Sequence, residues 1–167
     1  MTDFNPTGGS GGGGVVAQYK RATSTTSSHN LGTSFTSTPT MAQGIELVTL
    51  SVTPTKIGNK IHIVTQTPFN VWSNQSSPTN VCAVLGYDSE SDPLAAKISY
   101  AAQGDTVTGG GQGCVYIDYE FTTTDLVAVT FKVRGGTVAG AATVNVGSQQ
   151  NMFDYIYNSI TAVEYTV

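Results

Sequence analysis

"ELVTLSVT", residues 46–53, alternates: Val48, Leu50 and Val52 fall on one side, Thr49, Ser51 and Thr53 on the other. A two-residue apolar period is the mark of a half-buried strand. Beyond the turn "TPTKIGN" (53–59), "KIHIVTQT" (60–67) repeats the pattern and sets Ile61 and Ile63 against His62, Val64 and Gln66. The same period runs outward along the chain. "NVCAVLGYD" (80–88), "CVYIDYEF" (114–121), "LVAVTFKV" (126–133) and "SITAVEYTV" (159–167) are strong strands; "VVAQYKR" (15–21), "AAKISYA" (95–101) and "ATVNV" (142–146) are weaker ones. Gly, Pro, Asn and Asp mark the turns between them. No stretch has a helical period and no short repeat recurs. The sequence therefore predicts an all-β sandwich or barrel.

Composition agrees. Charged residues are only 11% of the 167, against roughly 25% in an average globular protein. Their place is taken by 25 Thr and 15 Ser, which suit strands with polar but uncharged faces. The net charge is −4, and among the seven Lys and Arg only Lys20 and Arg21 are adjacent, so no patch suits a phosphate backbone and nucleic acid is not expected as a partner. No apolar run approaches the ~20 residues of a membrane span, and no basic-then-apolar leader is visible. Cys82 and Cys114 both sit in predicted strands; they are expected as small buried residues, with a disulfide left open.

Several strands are apolar on both sides. In 126–133, Val127, Val129, Phe131 and Val133 share one side while Leu126 and Ala128 take the other. In 159–167, Ile160 and Ala162 oppose Val163, Tyr165 and Val167, and 15–19 carries Val15, Val16, Ala17 and Tyr19 on both. A strand apolar on both faces is buried on both. The outer face of a two-sheet sandwich is otherwise wet, so one sheet is expected to pack on sister subunits. Val15, Ala17, Tyr19, Leu126, Ala128, Val163 and Tyr165 are the interface candidates, and a homotrimer built partly from both chain ends is the expected assembly.

The stretch "GIELVTLSVTPTKIGNKIHIVTQTP" (44–68), with a strand ending "LSVTP", a short polar turn and then "NKI" opening a second strand, resembles a group of bacteriophage virion proteins. "VVAQYKRATSTTSS" (15–28), "LAA" (94–96), "TFKVR" (130–134) and the terminal "VEYTV" (163–167) fall in a similar order, so the likeness runs over roughly 15–167 and is strongest over 44–64. Such proteins are often labelled tail-fibre or structural proteins, and they look like the trimeric jelly rolls of the tumour-necrosis-factor and complement-head type. The resemblance implies a jelly-roll-like antiparallel sandwich, a virion location and no catalytic motif.

The residues agree on the last point. "GDTVTGGGQG" (104–113) lacks the Gly-Lys-Ser/Thr of a phosphate loop, and no Gly-x-Ser-x-Gly elbow exists. His29 and His62 stand apart from any cluster of metal-binding side chains, and no cofactor is expected. Asp118 and Glu120 lie two apart on one strand face, a spacing open to glycoside chemistry but more simply a solvated face. "DSESD" (88–92) lacks the Gly and ligand spacing of a calcium loop. Trp72, Phe153, Tyr155 and Tyr157 are aromatics beside Asn and Gln; they are core or subunit packing first, and otherwise the first candidates for a receptor face.

Residues 1–14 hold six of the 19 glycines and cannot build a core. Stretched fully they reach about 45–50 Å, and as a free coil about 20 Å. Asp3, Phe4, Asn5 and Pro6 supply the only grip. Burying Phe4 is worth about 2–3 kcal/mol, too little for one arm, but three linked arms bind together at high effective concentration. The expectation is an anchoring arm (1–14) on a trimerising sandwich (15–167). In function that means a capsid decoration, cement or head-spike protein attached to the major capsid protein or another virion component. A tail-fibre adhesin for a host glycan is the alternative. A polysaccharide-degrading enzyme is the weaker one, and the chain is expected not to be an enzyme.

Overall fold

The computed structural model describes residues 14–24, 29–30, 34–35, 38–71, 79–101, 111–138, 144–146, 149–151 and 154–167. Thirteen strands and no helix occur among them. They are β1 (Val16–Ser24), β2 (His29–Asn30), β3 (Ser34–Phe35), β4 (Ile45–Val52), β5 (Lys60–Val71), β6 (Thr79–Tyr87) and β7 (Ala95–Ala101). After these come β8 (Gly111–Thr122), β9 (Val129–Val138), β10 (Val144–Val146), β11 (Gln149–Asn151), β12 (Asp154–Ile156) and β13 (Asn158–Tyr165).

The long strands form two antiparallel sheets. One runs β1-β13-β5-β8, with β10 and then β2 taking over from β13 beside the far half of β5. The other runs β4-β9-β6-β7, with β3 parallel to the end of β9. Counted in chain order, the eight long strands lie 1-8-3-6 and 2-7-4-5. First beside last, with the pairs 1-8 and 3-6 in one sheet and 2-7 and 4-5 in the other, is the wiring of a jelly roll.

The alternation read from the sequence sets the layers. Ile61 and Ile63 of β5, Val115 and Ile117 of β8, and Ile160 and Ala162 of β13 face Leu50, Val52, Val81, Ala83, Leu85, Phe131 and Val133 of the other sheet. Each large aliphatic or aromatic side chain so buried stabilises the fold by about 1.5–3 kcal/mol. Phe131 is the centre of an aromatic stack, 5.4 Å from Tyr87 and 5.6 Å from Phe121. Leu47 breaks the alternation because a bulge between Glu46 and Val48 shifts the register, so Leu47 and Val48 are both buried.

Strand β6 is apolar on both faces, and the chain covers the second itself. Phe35 and Met41 fold over Cys82 and Val84 on the outside of the sheet. Arg134 secures that flap: its Nε and Nη2 donate to the carbonyls of Gln43 (2.8 Å) and Gly44 (2.7 Å), where Gly44 turns at φ +70°. A side chain there would be strained.

One predicted strand is shorter than expected. Leu126 and Ala128 do not oppose Val127 and Val129 across a strand, because β9 begins only at Val129. The Asp125 carboxylate accepts from the Val127 N–H (2.9 Å) and bends the chain at 125–127 into a loop. On β1, a bulge between Val16 and Gln18 places Val16 opposite Tyr165. Cys82 and Cys114 are both free. Burial pushes the Cys82 thiol up to about 11, which makes it a packing residue rather than a nucleophile.

Candidate functional site: the open face of the first sheet

Four strands build the outer face of the first sheet, and their registers fix its rows. Tyr19 of β1 stands opposite Val163 of β13, Val163 opposite His62 of β5, and His62 opposite Glu120 of β8. The next row is Arg21, Thr161, Val64 and Asp118. Tyr165 sits between Val16 and Lys60. The face is thus divided. Its β1/β13 side is apolar and aromatic toward the chain ends, with Val16 59% and Tyr19 60% exposed and Val163 and Tyr165 half-buried, and turns polar at Arg21 and Thr161. Its β5/β8 side is ionic: Lys60 Nζ lies 2.6 Å from Glu120 Oε1, and His62 Nε2 lies 2.7 Å from Asp118 Oδ1. Both pairs run diagonally across the strands, so each carboxylate of β8 is engaged by a basic neighbour.

The face is stiffened from beneath by Glu164, a residue the sequence pattern did not single out. It points inward from β13 and has no exposed surface. Its carboxylate accepts hydrogen bonds from Gln18 Nε2 (2.5 Å), Asn59 Nδ2 (2.7 Å), Thr55 Oγ1 (2.8 Å) and the Thr55 N–H (2.9 Å). Burial alone would raise its pKa, but these donors outweigh that and hold it at about 2. Gln18 Nε2 also donates to the Thr53 carbonyl (2.7 Å), and Lys20 Nζ to that of Ser51 (3.2 Å). The inward-facing polar residues of β1 therefore tie the edge of this sheet to β4 and the β4–β5 turn. The donors lie 105 or more residues from Glu164 in sequence, so no local signal could reveal the cluster.

Of the seven interface candidates, Tyr19, Val163 and Tyr165 share this face. Val15 and Ala17 are exposed at its edge, where the Thr166 N–H donates to the Val15 carbonyl (2.9 Å). Leu126 and Ala128 lie apart, exposed on the β8–β9 loop. Asp3, Phe4, Asn5, Pro6, Trp72 and Phe153 fall outside the described residues. Tyr155 is the middle residue of β12, and Tyr157, 39% exposed, leads into β13. Since β13 runs antiparallel to β1, Tyr157 and Gly14 stand at opposite ends of the sheet, about 25–30 Å apart at ~3.3 Å per residue. Among the described residues, no cluster of three potential metal ligands occurs, and no helix is long and apolar enough to cross a membrane.

The fold and this face together define a jelly-roll sandwich with an open, partly aromatic sheet. No protein-family model matches the chain, and no curated protein matches it. Among solved structures, it is similar to dimeric latent PorU from Porphyromonas gingivalis, with 10% identity and a TM-score of 0.43. That likeness covers 99% of this chain, which spans 14% of the length of PorU. At such a distance neither activity nor partner carries across.

Proposed function

We propose that the protein is a trimeric structural component of a bacteriophage virion. In this proposal it decorates or cements the capsid surface, or forms a short head spike, and residues 1–14 attach it to the shell. The observation that carries the proposal is the apolar stripe of Val16, Tyr19, Val163 and Tyr165 on the outer face of an otherwise self-contained jelly roll. Exposed large apolar side chains gathered on one sheet are the usual mark of a protein partner, and a symmetric ring of copies would cover them. The stripe lies at the end of the sheet where the arm enters, so association would gather three arms at one place. The resemblance over 44–64 supports a virion origin. The proposal assigns the chain no catalysis: Asp118 and Glu120 are each held by a basic partner.

A tail-fibre adhesin is the second proposal, favoured by the separation of Gly14 from the exposed Tyr157. Attachment on the Gly14 side, with Tyr157 exposed at the other end, would suit a protein tethered at its base and binding at its tip. Light scattering on the purified protein tests the shared premise, and a mass of three times the 17.4 kDa chain is expected. Copy number in purified particles then separates the two: hundreds of copies place it on the head, a few trimers place it on the tail. A monomer in solution and in particles would overturn both.

A further inference from the structure

A cleft of about 590 Å³ opens at the arm end of the sandwich, between the β6–β7 turn and the β8–β9 loop. That volume is in the range of small-molecule sites. Tyr87 and Phe121 line it, and both rings lean on the buried Phe131, which fixes them in place. Around them stand the polar groups of the two loops.

Most carboxylates of the cleft are already engaged. Asp88 is bound by Lys132 Nζ at 2.5 Å, and Lys132 is held in turn by Glu46 at 2.9 Å. Asp125 is used by the Val127 N–H. The Thr123 hydroxyl donates to the Lys56 carbonyl (2.7 Å), and that of Thr130 is shared with Ser51. What remains is one carboxylate, Glu90, and the hydroxyls of Tyr87, Ser89, Thr122 and Thr124, none of which has a side-chain hydrogen bond to the described residues. Phosphates and acidic sugars would meet Glu90 and the engaged acids with no free cation among the described lining residues to receive them. A polyamine would be drawn by Glu90 and Asp125, whose charges no cation among the described residues offsets, but it offers only donors to the Tyr, Ser and Thr hydroxyls. A neutral sugar fits the whole set: its C–H faces suit aromatic rings, and its hydroxyls both donate to a carboxylate and exchange bonds with Ser and Thr.

We infer that this cleft is a binding site for a neutral saccharide, with Tyr87 and Phe121 as its platform and Glu90, Ser89 and Thr124 as its hydrogen-bonding rim. The site belongs to the folded domain and does not depend on how the chain is anchored or how many copies associate. The test is amide NMR on the full chain with methyl α-glucoside, methyl β-galactoside, N-acetylglucosamine and cellobiose, against glucuronate and spermidine. At least one neutral sugar is expected to shift the amides of residues 87–90 and 121–130, with glucuronate at least about tenfold weaker. The double variant Glu90→Gln, Thr124→Ala changes only exposed side chains and keeps the fold; it is expected to weaken binding by about tenfold or more. Three outcomes would overturn the inference: no shift at these amides with any neutral sugar, shifts unchanged in the double variant, or a response to spermidine alone.

Discussion

Glu164 is the residue whose chemistry reaches furthest. Its carboxyl sits at about 2 when folded, below its ordinary 4.5, so the folded chain keeps a charge that the unfolded chain gives up on acidification. The stability this supplies is whole above the unfolded value and drains as pH falls from about 4.5 toward 2. A shift of this size corresponds to about 3 kcal/mol. Glu164→Gln removes it and turns an amide N–H₂ toward Asn59 and Thr55, which are themselves donors. Urea denaturation at pH 7 is expected to find the variant less stable by about 2–4 kcal/mol, and the gap from wild type to close as the pH approaches 2. A gap that stays constant with pH would mean the carboxylate is not the ionised hub of this cluster. Ile61, Ile63, Phe131 and Val133 could be assigned to the core from alternation alone, since that information is local. Glu164 could not, because its role exists only once β1, the β4–β5 turn and β13 have met.

At the scale of elements, the long strands were readable and the short ones were not. β4 to β9 and β13 follow the alternation closely, whereas β2 and β3 are two-residue pairings in Ser- and Thr-rich sequence with no period to detect. Bulges and side-chain turns limit that period: the β4 bulge at Leu47, the β1 bulge before Gln18 and the 126–128 loop each depart from a two-residue count for a local geometric reason. Another such device lies on β8, where Gly113 faces Phe69 directly and a Cβ there would come within 2.5 Å of the ring. Gly113→Val is expected to cost about 2–4 kcal/mol in thermal or chemical unfolding, since a buried ring cannot move aside; an unchanged midpoint would show the ring free to shift. The proposed subunit face is tested on β1. Tyr19→Glu changes a side chain that is 60% exposed in the single chain, so the secondary structure should survive by circular dichroism while light scattering falls from trimer to monomer. Ile98→Glu, 54% exposed on β7 of the other sheet, is the matched control and should leave the mass unchanged. A trimer in both variants would remove this face from the interface.

For the whole molecule, the placement of the described chain ends matters most. Val15 and Thr166 are hydrogen-bonded, so both described ends of the chain emerge together beside the apolar stripe. Association through that stripe would bring three arms to one base, and binding of the first would hold the other two near their sites at millimolar effective concentration. In the proposed assembly, a grip worth about 2–3 kcal/mol per Phe4 would be negligible alone and durable in threes. Attachment should therefore depend on association more steeply than folding does. Removal of residues 2–13 is expected to leave the melting temperature and the oligomeric mass unaltered, because among the described residues the packing that holds the two sheets together is built between Ala22 and Ala162. Particles assembled with the truncated chain should lose it on sedimentation, while Tyr19→Glu, with its arm intact, should be lost nearly as completely. If the monomeric variant stays on particles as firmly as wild type, one arm suffices and the sheet face has no part in attachment. If the truncated trimer stays, the grip lies in the sandwich itself.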